Sequence, residues 1–482
     1  RLPAVSPPLS LSLPLCRRAS RGKSGENARP GRSRSPSARY TSTLAEGSRT
    51  LDEVEREIRE KTDAKSQNAS QKDQLQKQQI RQSEQLQVKT EKLADKEREH
   101  ARLKDSEAEK KQLGDRRGAV VAIDPRDGSV LAFVSRPVFD PNLFVNGISH
   151  QDYARYREDL DNPLFNRALQ GRYPPGSTVK PFIGLAGLDA GVTDWQRTIF
   201  DPGYYQLEDN PHRYRDWKRW GHGHVDMNKA VVQSCDTYFY DLGFKLGISR
   251  MHDFLSDFSL GQPTGIDLFN ESSGLLPSKE WKRAARGATW YHGDTINASI
   301  GQGFMLATPL QLATATAILA HHGKQVTPTL AADALRVPPR PDVTLRHSEN
   351  WQRMEDTMAE VVHGERGTAK VMAEGAPYRM GAKTGTSQVF SVGQEETYNE
   401  DELAERLLDH ALIIAFAPVE EPAIAVAVLV ENGRHGGSTA GPVARQVMDA
   451  WLLDDNGELA VPPPLNRTPQ TQTAGTTPGG TP

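Results

Sequence analysis

Two pairs of short apolar runs, set far apart in the chain, constrain the fold most. Val120-Val121-Ala122-Ile123 and Val130-Leu131-Ala132-Phe133-Val134 read as β-strands, and the turn chemistry of Asp124-Pro125-Arg126-Asp127-Gly128 between them predicts a hairpin. Leu412 to Ala417 and Ile424 to Val430 flank Pro418-Val419-Glu420-Glu421-Pro422 and predict a second. Lys383-Thr384-Gly385-Thr386 runs into Gln388-Val389-Phe390 and supplies a neighbouring strand. Helical patterns fill the middle, including Pro309 to Leu319 and Pro442 to Leu453, each opened by a helix-initiating proline. First and last strands must then pair across that helical middle. The expected class is α/β of the α+β type, with one antiparallel sheet of about five strands flanked by helices. Such pairing makes residues 118–455 a single large domain.

The rest of the chain reads differently. Residues 1–48 are rich in Arg, Ser and Pro and are expected to be disordered. Residues 49–117 are dominated by Glu, Lys, Gln and Asp; their apolar residues hold no heptad register, so a solvated, partly helical segment is expected rather than a coiled coil. A Pro/Thr/Gly tail, 456–482, reads as a flexible end. The first methionine is Met227, and a chain that opens on Arg1 reads as a fragment or a mistranslated N-terminus. A net charge of -3 in 482 residues argues against nucleic acid as a partner. No run approaches the roughly 18 apolar residues of a membrane span.

The candidate chemistry lies in three short motifs, in order: Ser177-Thr178-Val179-Lys180, Ser234-Cys235-Asp236 and Lys383-Thr384-Gly385-Thr386. A lone S-x-x-K carries little, and the chain holds a decoy at Ser20 and Lys23, in the Arg/Ser/Pro tract with no apolar helix behind it. Tyr173-Pro174-Pro175-Gly176 makes an extended approach, and Pro181 fits a helix only in its first turn, so Ser177 is expected close to a helix N-terminus. Lys180, three residues on, shares its face and is the candidate general base. An ordinary capped helix with a surface lysine would read the same way. Ser234 is the candidate proton relay, though a helix cap is the plainer reading. Lys383 offers a cation to a substrate carboxylate, which the Thr384 hydroxyl also reaches. Gly385 lets substrate backbone lie against the strand, and the N–H groups of Ser177 and Thr386 are the candidate oxyanion hole.

Cys235 sits inside the second motif, with its side chain expected to point away from the cleft. Asp201, Asp216 and His222 precede it, the last two in the loop Asp216-Trp217-Lys218-Arg219-Trp220-Gly221-His222. Two carboxylates, an imidazole and a thiolate suit a closed tetrahedral zinc site, with His224 as the competing imidazole. A small buried cysteine among unrelated surface acids reads the same. The other cysteine, Cys16, lies in the Arg/Ser/Pro tract, so no structural disulfide is expected.

At these motifs the chain resembles the transpeptidase domain of the elongation-type class B penicillin-binding proteins, the penicillin-binding protein 2 group of Gram-negative bacteria. The likeness covers roughly residues 118–455 and takes in Tyr173-Pro174-Pro175-Gly176, Trp217 to His224, Gly301-Gln302-Gly303, Ala307-Thr308-Pro309 and Glu431-Asn432-Gly433. It implies the fold shared with serine β-lactamases and the cross-linking of peptidoglycan. Ser177 would attack the D-Ala-D-Ala bond of a stem peptide, and β-lactams would acylate it. It also implies a role in cell elongation and shape, no cofactor for catalysis, and structural zinc on Asp201, Asp216, His222 and Cys235. By the same resemblance, the partners are a SEDS-type glycosyltransferase and other elongation proteins. The location is the inner membrane with a periplasmic catalytic domain. The family's membrane anchor and pedestal are not recognisable before residue 118. Asp236 departs from the Asn common in the wider superfamily, and a carboxylate there complicates Lys180 as resting base. A D,D-carboxypeptidase or a β-lactam-binding scaffold remains the alternative. A β-lactamase lacks its deacylating carboxylate motif here.

Overall fold

The computed structural model describes residues 116–465 apart from 209, 332–339 and 390–402, together with Arg56, Leu113 and Gly114. The 1–48 tract with Cys16, most of 49–117, Phe390 and tail residues 466–482 lie outside the described residues.

Five strands form the main sheet: β1 (Gly118–Ile123), β2 (Val130–Arg136), β3 (Gly381–Ser387), β4 (His410–Ala417) and β5 (Ile424–Val430). Their order is β2-β1-β5-β4-β3, every neighbour antiparallel. The hairpin expected at 124–128 is present: Asp124 N–H donates to Ser129 O at 2.8 Å, and Gly128 takes φ +80° with Thr327 O where a Cβ would sit. The second hairpin joins β4 to β5. The pairing of β1 with β5, Gly118 opposite Val430, closes first strand on last. One expectation fails in detail: β3 is the Lys383 motif itself and ends at Ser387, before Gln388.

All seven residues of β5 are buried. Because alternate side chains point to opposite faces, the sheet must be covered on both. Helix α4 (Pro309–Ala320) packs on β5 and β1, and α6 (Gly441–Leu452) on β5 and β4. All twelve residues of α4 are buried, as an all-round apolar helix requires. Its start is set by Thr308, whose hydroxyl accepts from Gln311 N while the Gln311 side chain accepts from Thr308 N. Helix α5 (Glu349–His363) lies against β3 and against α1 (Lys180–Asp189), the helix that follows the first motif.

A buried carboxyl on α5 makes a pH prediction. Glu355 Oε2 lies 3.0 Å from His322 Nε2, and Oε1 has no hydrogen-bond partner among the described residues. Burial, with the neighbouring Asp356 charge, pushes its pKa from 4.5 up to about 8. Between those values the folded chain holds a proton that the unfolded chain has released, so stability falls as pH rises. The steepest slope is about 1.4 kcal/mol per pH unit. Glu355→Gln removes that slope, and thermal melts of both proteins from pH 5 to 8 check it; parallel curves would refute the assignment.

Candidate active site

Ser177 is half-buried in a 3-10 turn, Gly176–Val179, that leads straight into α1. Pro181 holds the first turn of α1, so the α-helix begins at Lys180 and Ser177, the candidate nucleophile, sits just ahead of it. Gly176 has φ +56° and its N–H donates to Gly301 O at 2.9 Å; a Cβ there would overlap the Thr386 carbonyl. The Ser177 turn, which carries the candidate nucleophile, therefore rests directly on the Lys383–Thr386 strand, and the backbones that carry the Ser177 and Thr386 N–H groups make a close approach. A Cβ at Gly385 would meet Thr178 Cγ2 at 2.7 Å, so this strand position also needs glycine. Because β3 is the outer strand of the sheet, its free edge can pair with an extended peptide.

The second motif enters from the opposite side. Helices α2 (Met227–Val232) and α3 (Asp236–Leu246) meet at a tight turn in which Ser234 takes φ +57°. Such strain in a non-glycine residue persists where the surroundings over-determine it. The turn places Ser234 Oγ between two amines: Lys383 Nζ donates to it at 2.9 Å and Lys180 Nζ at 3.2 Å. Lys180 also donates to Ser234 O at 2.8 Å and to Asp236 Oδ1 at 2.7 Å. All three ammonium donors are thus engaged, none of them with Ser177. The hydroxyl contact expected between Lys180 and Ser177 is absent among the described residues. The physical reason is Asp236, which draws the ammonium toward α3. Lys383 is fully buried, and burial together with the Lys180 charge holds its pKa well below the ordinary lysine value. Thr384 Oγ1 shares a hydrogen bond with Thr368 Oγ1 at 2.9 Å.

Behind this turn lie Asp201, Asp216, His222 and Cys235, all buried, with one ligand atom from each within 4.8 Å of the others. His222 Nδ1 is 2.8 Å from Asp201 Oδ2 and 3.4 Å from Asp216 Oδ1, and Cys235 Sγ is 3.4 Å from Asp201 Oδ2. His224, the competing imidazole, is exposed and packs on Phe200 instead. Burial would raise Asp201, but hydrogen bonds from His222 and the Gly203 N–H hold it below the usual carboxylate range. Burial and the Asp236 charge raise Asp216; burial and the two carboxylates push the Cys235 thiol up. His222 Nε2 is buried and has no hydrogen-bond partner among the described residues. Two crowded acids, a disfavoured thiolate and an orphaned imidazole nitrogen are the features that a divalent cation would relieve, so the residues fit zinc. The cluster also holds the second motif. Asp216 Oδ2 accepts from the Asp236 and Thr237 N–H groups at 2.7 and 3.1 Å, capping α3.

Residues 118–449 match the family model of the penicillin binding protein transpeptidase domain. The chain belongs to the penicillin-binding protein transpeptidase family. It is 50% identical over 343 residues to the peptidoglycan D,D-transpeptidase MrdA of Acinetobacter baumannii, covering 70% of this chain and 50% of that protein. The chain spans about half the length of the curated relatives it matches first. Among solved structures, Pseudomonas aeruginosa PBP2 in complex with WCK 5153 superposes with a TM-score of 0.69 at 50% identity, covering 74% of this chain and 76% of that one. Helicobacter pylori PBP2 in complex with MreC gives 0.66 at 34% identity, covering 71% and 61%.

Several residues that support the site in this penicillin-binding domain gave no chemical signal in the sequence. Gln302 Nε2 donates to Thr386 O at 3.0 Å and steadies the strand beneath the nucleophile turn. Trp217 N–H donates to Asp236 Oδ2 at 3.2 Å, and its indole N–H to Gln233 O at 3.2 Å. Thr368 lies outside every motif, and the packing of α5 and its following loop on β3 brings it to Thr384. Among the described residues no helix is long and apolar enough to cross a membrane.

Proposed function

We propose that the chain carries a peptidoglycan D,D-transpeptidase domain that works through an acyl-enzyme on Ser177. The observation that carries this reading is Ser234 Oγ held between Lys383 and Lys180, at 2.9 and 3.2 Å, beside the nucleophile turn. Ser177 Oγ attacks the carbonyl of the D-Ala-D-Ala bond, and the oxyanion is held by the N–H groups of Ser177 and Thr386. Lys180 first passes one of its three protons through Ser234 Oγ to the Lys383 amine, and as the neutral amine it then accepts the Ser177 proton. Burial biases Lys383 toward the neutral amine; a substrate carboxylate arriving at Lys383 and Thr384 reverses that bias and draws a proton in. Ser234 then gives a proton to the departing D-alanine nitrogen and takes one back from Lys180. The C–N bond breaks, D-alanine leaves, and an amine from a neighbouring stem takes the acyl group. Water in place of that amine gives the D,D-carboxypeptidase alternative.

Asp201, Asp216, His222 and Cys235 would hold a structural zinc in this reading, with no part in the chemistry. The resemblance to MrdA and to PBP2 supports a role in cell elongation, with a periplasmic catalytic domain tethered to the inner membrane. The PBP2–MreC complex supports MreC-type proteins as partners, beside a SEDS-type glycosyltransferase. Incubation with benzylpenicillin and intact-mass measurement tests the acyl-enzyme. A persistent shift equal to the whole drug is expected, on the tryptic peptide that begins at Tyr173. A chain that stays unmodified would support a scaffold, and rapid release of hydrolysed drug a β-lactamase.

A further inference from the structure

Two motifs quoted above have no part in the chemistry, Tyr173-Pro174-Pro175-Gly176 and Glu431-Asn432-Gly433, and the fold brings them together. Glu431 follows the last residue of β5, with a side chain only 14% exposed. Its Oε1 accepts from Tyr173 Oη at 2.7 Å and from Arg167 Nε at 2.9 Å, and Arg117 Nε lies 3.4 Å from Oε2. Tyr173 is itself pinned: its N–H and C=O pair with Ala307, and its ring meets His410 edge-on at 5.5 Å. Four residues later comes Ser177. The other end of the Glu431 segment reaches the third motif. Asn432 N–H donates to His410 Nδ1 at 3.0 Å, Thr439 Oγ1 to Gly433 O at 2.8 Å, and Gly436 packs on Gly385, where a Cβ would lie 2.6 Å from the Gly385 carbonyl oxygen. Asn432 and Arg434 both take positive φ, 55° and 65°, so this short segment holds strain on either side of Gly433.

We infer that Glu431 is a positioning residue: through the Tyr173 hydroxyl it sets the nucleophile turn in register with the Lys383–Thr386 strand. The segment spans both partners of the oxyanion hole, so a shift at Glu431 moves Ser177 N–H relative to Thr386 N–H. A misplacement of about 1 Å in such a constellation costs on the order of 100-fold in rate. A carboxylate that merely anchors the fold would instead act through its two arginines.

This inference rests on the acyl-enzyme reading, and the experiment separates the two. Penicillin acylation is measured as a binding constant Ks and a chemical rate k2, beside the melting temperature, for Tyr173→Phe, Glu431→Gln, Glu431→Met and the Tyr173→Phe/Glu431→Met pair. Tyr173→Phe keeps the ring and the Ala307 pairing and loses only the donor. It is expected to lower k2 about 10-fold with Ks unchanged. Glu431→Gln keeps an acceptor for Tyr173 and loses the charge facing Arg167 and Arg117. It is expected to melt lower than Tyr173→Phe and yet acylate within about 3-fold of the parent. Glu431→Met falls about as far as Tyr173→Phe, and the double variant no further. Acylation that follows the melting order, or a Tyr173→Phe chain with unchanged k2, would overturn the positioning role. A parent chain that takes no penicillin would sink the acyl-enzyme reading and the inference with it.

Discussion

Ser177→Ala is expected to abolish acylation by penicillin, a fall of about 10^4-fold or more, while the melting temperature stays close to that of the parent. The serine is half-buried in a turn, and among the described residues its hydroxyl makes no hydrogen bond, so the fold should tolerate its loss. Lys180→Ala separates chemistry from folding less cleanly. The lysine is fully buried and 2.7 Å from Asp236, so its removal leaves a carboxylate unpaired and lowers stability as well as rate. Pairing it with Asp236→Asn restores charge balance. Lys180→Ala/Asp236→Asn should melt above Lys180→Ala alone and still acylate about 10^2- to 10^4-fold more slowly than the parent. A fluorescent penicillin and a gel are enough to measure both. Label on Ser177→Ala would show that another nucleophile does the work.

Removing the metal should have the second largest effect. The purified chain is expected to carry one zinc, and Cys235→Ser to lose it. Where free zinc exceeds its Kd by roughly 1,000-fold, binding stabilises the fold by about 4 kcal/mol, which a chelator would remove. Acylation should fall in step, because Asp216 caps the helix that presents Asp236 and Asp236 in turn holds Lys180. Metal analysis and melting with and without chelator decide it. A chain free of stoichiometric zinc whose melting ignores the chelator would exclude the site.

Much of the architecture was legible in the sequence, for local reasons. Apolar runs broken by Asp-Pro and Glu-Glu-Pro turns gave both hairpins, and prolines marked the starts of α4 and α6. Apolar periodicity could not say where β3 stops, because Gln388-Val389 reads as strand as readily as Gly381–Ser387. Residue chemistry alone left His224 competing with His222 for the zinc set. His224 lies in a short strand opposite Phe200, whereas His222 lies just before that strand, between Gly221 and Gly223 at φ +72° and +70°, so the regular alternation that would put residues two apart on one face does not hold. Glu355 gave no signal, since an acid on an amphipathic helix reads as a surface residue until the fold buries it.

The sequence by itself determined the candidate residues Ser177, Lys180 and Lys383 and the strand that carries Lys383, because motif spacing and helix-start chemistry are local properties. Tertiary structure alone decided which amine holds which oxygen. Lys180 turned from Ser177 to Asp236, Ser234 came to lie between charges 54 and 149 residues away, and Glu431 reached Tyr173 across 258 residues. Such contacts depend on how β1 closes on β5 and where α3 packs, which no local pattern encodes.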